Sequence, residues 1–293
     1  MSAAGSGDLP GPGPGSAIAR IMLGTELRQH REAAGVTPES AAWHIRASRA
    51  KISRMENGRQ GFKDRDVRDL LEFYGVTDPL VMARVLALAG QARAVDWWAG
   101  FGDILPAWFE PFLGLEAAAS VIRAFDLQFV NGLLQTRDYA RAVTVLGHRD
   151  ARAAEIDRRV DVRMKRQELL DADSPPRLWV ILDEAALRRP VGGPAVMRDQ
   201  IRHLVAVAGR PAVNLQILPF SAGGHDAGGT FMILRFAEPG VADVVYSEQL
   251  TGATYLDKPG ATDQYLDIMN RLGVAALSSA ETVNFLQEII REI

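Results

Sequence analysis

The chain contains no cysteine among its 293 residues, which excludes disulfides, thiolate metal sites and cysteine nucleophiles. That suits a reducing cytoplasm, the expected location. No apolar run approaches the roughly 20 residues needed to cross a bilayer, so no membrane association is expected. Residues 1–20 are rich in Gly, Pro and Ser and lack the basic and apolar regions of a signal peptide, so they read as a disordered tail. Catalytic signatures are missing too. The five histidines are scattered (His30, His44, His148, His203, His225), and none sits in a His-Glu-x-x-His pattern. No nucleophile elbow or dinucleotide fingerprint occurs. The run Gly223-Gly-His-Asp-Ala-Gly-Gly229 lacks the Lys-Ser/Thr ending of a phosphate loop and reads as a flexible hairpin loop between two strands. Asp183, Glu184, His225 and Glu248 lie near expected strand ends, and paired carboxylates plus a His do acid–base or metal chemistry elsewhere. Here the carboxylates have Arg166, Arg188 and Arg189 as ready partners, and a structural role is expected. No catalytic residue, metal site or cofactor is expected.

What is present is a chain long enough for about two domains, 47% hydrophobic, with a net charge of −3. The charge is unevenly placed. Residues 21–75 carry ten basic against eight acidic side chains, while the remainder is acidic. Within 46–65, Arg46, Arg49, Lys51, Arg54, Arg59, Lys63 and Arg65 face only Glu56 and Asp64. Phosphate binding needs such a local basic patch, whatever the whole-chain charge.

The patch lies on a pattern of short helices. Leu23, Leu27 and Ala34 fall on one side of a first helix closed by Gly35. Thr37 caps a second, with Pro38 in its first turn and Ala41, Ala42 and Ile45 on its inner face. After a break at Arg46-Ala47, Ser48 caps a third, in which Ala50, Ile52, Ser53 and Met55 supply the docking positions. Gly58 suits a left-handed cap. A fourth helix near 63–74 buries Val67, Leu70, Leu71 and Tyr74. Two short helices joined by a tight turn and braced by others lay a helix in a major groove.

The order Leu-x-x-x-Arg, Gly-Val-Thr, small-small-x-x-Ile, then Ser-x-x-x-Ile-Ser-Arg-Met-Glu-Asn-Gly-Arg over residues 22–76 resembles the Xre/Cro-type helix-turn-helix family. The resemblance implies a DNA-reading third helix: Arg49, Ala50 and Arg54 match base-reading positions, Lys51, Asn57 and Arg59 match phosphate-contacting ones, and Glu56 matches a residue that pairs with Arg31. Two residues depart from the pattern. Pro38 replaces a polar residue that often donates to phosphate, and Arg46 stands in a turn where many relatives have Gly.

Farther on, Asp78-Pro79 opens a helix running to about Ala94. The aromatics Trp97, Trp98, Phe101, Trp108, Phe109 and Phe112 then point to interdomain or dimer packing, or to a ligand cage. Helices are expected near 115–125, 136–146 and 150–170. A buried strand over 178–182 follows, then an alternating, half-buried one over 213–217. Strands at 229–236, 242–248 and 253–256 alternate with Gly-rich turns, helices near 194–208, 260–272 and 279–292 surround them, and Ser278 and Glu281 have capping-box spacing. The expected fold is multidomain: a disordered tail (1–20), an all-α helix-turn-helix domain (21–76), a helical and aromatic connector (77–112) and a mixed α/β (α+β) regulatory and dimerisation domain (113–293).

Gly132-Leu-Leu-Gln-Thr-x-Asp-Tyr-Ala-Arg141, Arg163-Met-x-Arg-Gln167, Asp183-Glu-x-x-Leu-Arg188, Gln216-x-Leu-Pro-Phe220 and Tyr246-x-Glu248 resemble the carboxy-terminal domain of actinobacterial WhiJ-like regulators. Asn131 stands where relatives commonly have Pro, a change expected to loosen that turn. The resemblance implies an antitoxin-like transcriptional regulator of development or specialised metabolism with a small protein partner encoded nearby. Double-stranded DNA and a second copy of the chain are the other expected partners. A small-molecule sensor and an enzyme with a DNA-binding head are the alternatives.

Overall fold

In a computed structural model the described residues are 15–58, 61–93, 96–238 and 240–293. They form two compact units. The first joins residues up to Ala99 with Leu113–Ala118 and Glu238–Val241, and the second is built on Gly100–Phe112, Ala119–Ala237 and Ala242–Ile293.

The first unit is helical. Helix α1 (Gly15–Ala33) presents Ala19, Leu23, Leu27 and Arg31 as one buried row at four-residue spacing, the ridge that packs neighbouring helices. It starts earlier than its composition predicts. Residues 15–20, read as tail, are helical, and Ser16, Ile18 and Ala19 are buried. Asp96 holds this first turn, accepting from the Ser16 hydroxyl and from Arg20 at 3.2 Å. Ala34, expected on the inner face, is exposed, because the helix has ended and Gly35 turns away at φ +65°.

Helix α2 (Pro38–His44) is capped by the Thr37 hydroxyl, and α3 (Arg49–Glu56) by that of Ser48. Between them Arg46 sits at φ +53°, a strained conformation for a side chain that costs on the order of 1 kcal/mol. Helices α4 (Asp64–Phe73) and α5 (Pro79–Gln91) follow. Its core joins Leu23, Leu27, Ile52, Met55, Val67, Leu70 and Leu71 to Val85 and Ala89 of α5. Helix α5 is therefore part of the helical domain, not of a connector.

In sequence order α6 (Glu110–Ala118), β1 (Val121–Asp126), α7 (Arg137–Gly147), α8 (Ala153–Gln167), β2 (Arg177–Asp183), α9 (Glu184–Arg188), α10 (Pro194–Val207) and β3 (Val213–Leu218) come next. Then come β4 (Phe231–Arg235), β5 (Val244–Gln249), β6 (Gly252–Leu256), α11 (Pro259–Ala275) and α12 (Ser279–Glu292). The six strands form one mixed sheet in the order β3-β2-β1-β4-β5-β6. Strands β1, β2 and β3 run parallel through helical crossovers, and β4 joins β1 antiparallel. The fold is thus multidomain and α+β, a helical helix-turn-helix region followed by helices and a mixed sheet.

Three local expectations fail for physical reasons. Residues 121–126 are a strand, not the end of a helix; paired on both sides, β1 shows no alternation, and the Ala-rich run before it is the true end of α6. The Gly-rich loop 223–229 is a crossover rather than a hairpin, since β2 and β1 lie between β3 and β4. Strand β3 is buried except at Asn214; its apparent alternation came from Gln216, whose buried amide accepts from Trp179 Nε1 (2.8 Å) and donates to the carbonyls of Gly273 and Leu277.

On one sheet face α11 covers Phe125, Ile181, Phe231, Ile233 and Val245 with Met269 and Leu272. Elsewhere a polar network fixes residues 130–136. Gln167 donates to the Gly132 and Gln135 carbonyls, Gln200 accepts from Thr136 N, and Val130 N donates to the Tyr139 hydroxyl. Asn131 tightens this turn instead of loosening it. Its amide donates to Asp126 Oδ2 (2.8 Å) while its oxygen accepts from Leu133 N. Trp108, Phe109 and Phe112 pack inside this unit, with Phe112 stacked on Tyr246 at 4.1 Å and the buried Arg166 over both phenylalanines. Trp97 and Trp98 meet edge to face in the first unit.

Burial pushes the Asp126 carboxyl up to about 7, against the opposing pull of Asn131 and Arg166. Its folded pKa is above its unfolded value, so the folded state holds the extra proton between about pH 4 and 7 and stability falls as pH rises through that window. Denaturant titrations at pH 5 and pH 8 are expected to show a smaller loss on raising pH in Asp126→Asn than in the unsubstituted protein.

Candidate nucleic-acid interface

Helix α3 is two-faced. Ile52 and Met55 are buried in the core, whereas Arg49, Ala50, Ser53, Arg54 and Asn57 are exposed. At about 100° per residue these five fall within an arc of about 140°, a continuous stripe along the helix and its cap. The expected base-reading residues Arg49, Ala50 and Arg54 share that stripe with Asn57. Ser53, expected only as a docking position, belongs to it as well. Arg49 pairs with Glu39 of α2 at 3.0 Å in an exposed contact, which holds it weakly.

Lys51 lies off the stripe. It is partly buried, and its ammonium meets Asp66 of α4 at 2.5 Å. A phosphate contact by Lys51 must therefore share or replace that carboxylate. Arg59, the third expected phosphate ligand, lies outside the described residues.

The seat of α3 is set by α1. Arg31 forms a two-pronged ion pair with Glu56, Nε to Oε1 at 2.6 Å and Nη2 to Oε2 at 2.9 Å. Its remaining fork donates to the Val36 carbonyl at 2.9 Å. Both side chains are only 9% exposed, so partners satisfy charges that water cannot reach. Beside them Gly24 lets the helices touch: a Cβ there would lie 2.5 Å from the Met55 carbonyl oxygen and 2.7 Å from that of Glu56. Gly58, at φ +65°, fits as closely against Ile21. Gly24 escaped the sequence reading, although a glycine inside a helix already signals close packing.

Each residue weighed for catalysis has a neighbour within the fold. Asp183 caps α9 by accepting from Ala185 N, and His225 Nε2 stands 3.7 Å from its carboxylate. Glu184 is buried and accepts from Arg188 (2.9 Å) and from Phe220 N (2.8 Å). Glu248 accepts from the Tyr246 hydroxyl at 3.0 Å. Among the described residues no group of three His, Asp or Glu is arranged to hold a metal ion, and no helix is long and apolar enough to cross a membrane.

Comparison with known families finds two matches. Residues 22–83 match a helix-turn-helix domain, and residues 109–288 match a domain of unknown function, DUF5753. No curated protein and no solved structure matches the chain.

Two substitutions probe the seat of α3. Glu56→Gln leaves Arg31 buried without its counter-charge and is expected to destabilise the helical unit by about 3–5 kcal/mol in denaturant titrations. Gly24→Ala would add about 1 kcal/mol of helix propensity. The carbonyl contacts reverse that sign, and a net loss of about 1–3 kcal/mol is expected from overpacking.

Proposed function

The chain belongs to the DUF5753 family and carries a helix-turn-helix domain ahead of that region, and from this we propose a sequence-specific transcriptional regulator of the Xre/Cro type that binds double-stranded DNA. The exposed stripe of α3 carries the proposal. Arg49 and Arg54 each have a planar donor fork that matches the O6 and N7 acceptors of guanine. Ala50 offers a methyl to thymine or clearance, and Ser53 lies between the arginines as an adaptable hydroxyl. Asn57, Lys51 and Arg59 take the phosphate contacts that fix register and add salt-dependent affinity.

The regulator acts as a homodimer in the cytoplasm on a palindromic operator, with two α3 helices in major grooves about 34 Å apart. Its second domain joins the protomers and receives a small protein partner, as its resemblance to WhiJ-like, antitoxin-like regulators implies. A partner alters DNA affinity only by binding one arrangement of the reading heads better than another. No catalysis is assigned to the chain. Glu184 and Glu248 already have hydrogen-bond donors, and this weighs against an enzymatic role for them.

Operators selected from random duplexes, then titrated with variants, test this reading. Arg54→Ala is expected to weaken specific binding by about 1–3 kcal/mol and to relax one operator position, whereas Lys51→Ala lowers affinity evenly across sequences and reduces the salt slope by about one unit. An unchanged sequence preference in Arg54→Ala would remove that residue from the readers. A chain that selects no sequence at all would overturn the proposal.

A further inference from the structure

Strand register builds an arginine cluster on the second unit that none of the functions above uses. Val121 opens β1, with Arg177 of β2 and Arg235 of β4 as its direct partners. Directly paired residues point to the same face, so Arg177 and Arg235 flank Val121 with backbones about 10 Å apart, two strand spacings. Arg123, two residues along β1, returns to that face about 7 Å farther up. Its own partners are Trp179 and Ile233, and beyond Ile233 comes Val245. A guanidinium thus rises from the middle of an apolar row and borders a charged one.

The charges do not balance. Among the described residues Asp243 is the one carboxylate that acts on Arg123, and it is committed to Arg235 through a two-pronged contact, Nε to Oδ1 at 3.0 Å and Nη2 to Oδ2 at 2.7 Å. Arg177 is exposed. Arg123 Nη1 is buried and has no hydrogen-bond partner. Leaving a buried donor unmet costs about 1–3 kcal/mol, more when it is charged. Burial first, then Arg235 and Arg177, push the Arg123 pKa down, with Asp243 opposing. Three forks against one carboxylate leave two positive charges and one recessed donor that no described residue satisfies.

We propose that Arg123, Arg177 and Arg235 form an anion site that takes the terminal phosphate of a small phosphomonoester. Such a group carries close to two negative charges near pH 7 and three acceptor oxygens, which match the surplus charge and the forked donors. A carboxylate carries half that charge. Because the Arg123 donor is recessed, the acceptor must reach into the sheet face, as a terminal phosphate does and the diester of a duplex backbone does not. The site is independent of DNA reading.

Isothermal titration of the full chain with inorganic phosphate, against acetate at matched ionic strength, tests it. Saturable phosphate binding is expected, with none for acetate. Arg123→Gln is expected to weaken it on the order of tenfold. Arg177→Gln, on an exposed residue, is expected to weaken it as well and serves should the first variant fail to fold. An unchanged circular-dichroism spectrum and a retained cooperative denaturation transition of the full chain show that each variant is folded. No phosphate binding above the chloride background would overturn the proposal. So would equal binding by wild type and both folded variants, which marks phosphate as an adventitious ion only.

Discussion

The seat of α3 depends on a charge pair almost wholly withdrawn from water. Arg31 ends the buried row of α1 at the point where apolar residues would continue it, and Glu56 closes α3 opposite. Neither charge is tolerable there without the other. The pair therefore specifies geometry more than it adds stability: it can form only when the last turn of α1 and the end of α3 are in one register. The Gly24 notch enforces the same register from the backbone side, since the carbonyls of Met55 and Glu56 rest where a side chain would otherwise be. With one face of α3 pinned this way, the opposite face is the one bearing Arg49, Ser53, Arg54 and Asn57.

The second unit follows a similar logic with different chemistry. The phrases Gly132–Arg141 and Arg163–Gln167, apart in the chain, meet at the 130–136 loop. Gln135 accepts from Arg163, Gln167 holds the loop's carbonyls, and Arg166 lies over Phe109 and Phe112, with Phe112 stacked on Tyr246. A polar network with its members satisfied makes a unique core, and here it fastens α7, α8 and α10 to the loop after β1. Two groups stand apart from that economy, the protonatable Asp126 and the unmet donor of Arg123.

Elements whose signals are local were legible in the sequence. Thr37, Ser48, Asp78 and Ser278 cap helices where their residue types place them, because a cap is decided within three or four residues. The helix-turn-helix and the buried strand β2 were readable for the same reason. What failed depended on distant partners. The start of α1 is fixed by Asp96, some eighty residues away. Strand β1 is fixed by neighbours on both edges, and the course of the 223–229 loop by strand order. Of the candidate interface, Arg49, Ala50, Arg54 and Asn57 lie together on the exposed stripe. The tie of Lys51 to Asp66 was invisible, since it needs α3 and α4 already packed. Arg123 falls between Trp179 and Ile233 only through the register of β1 with its two neighbours, which no local signal carries.

Methylation interference on a duplex selected by the protein measures the central claim most directly. If the outward stripe of α3 reads guanine from the major groove, methylation of N7 at discrete guanines abolishes binding, while methylation of adenine N3 in the adjoining minor groove is tolerated. Loss of binding from the minor-groove lesions alone, with every N7 position tolerated, would contradict the account.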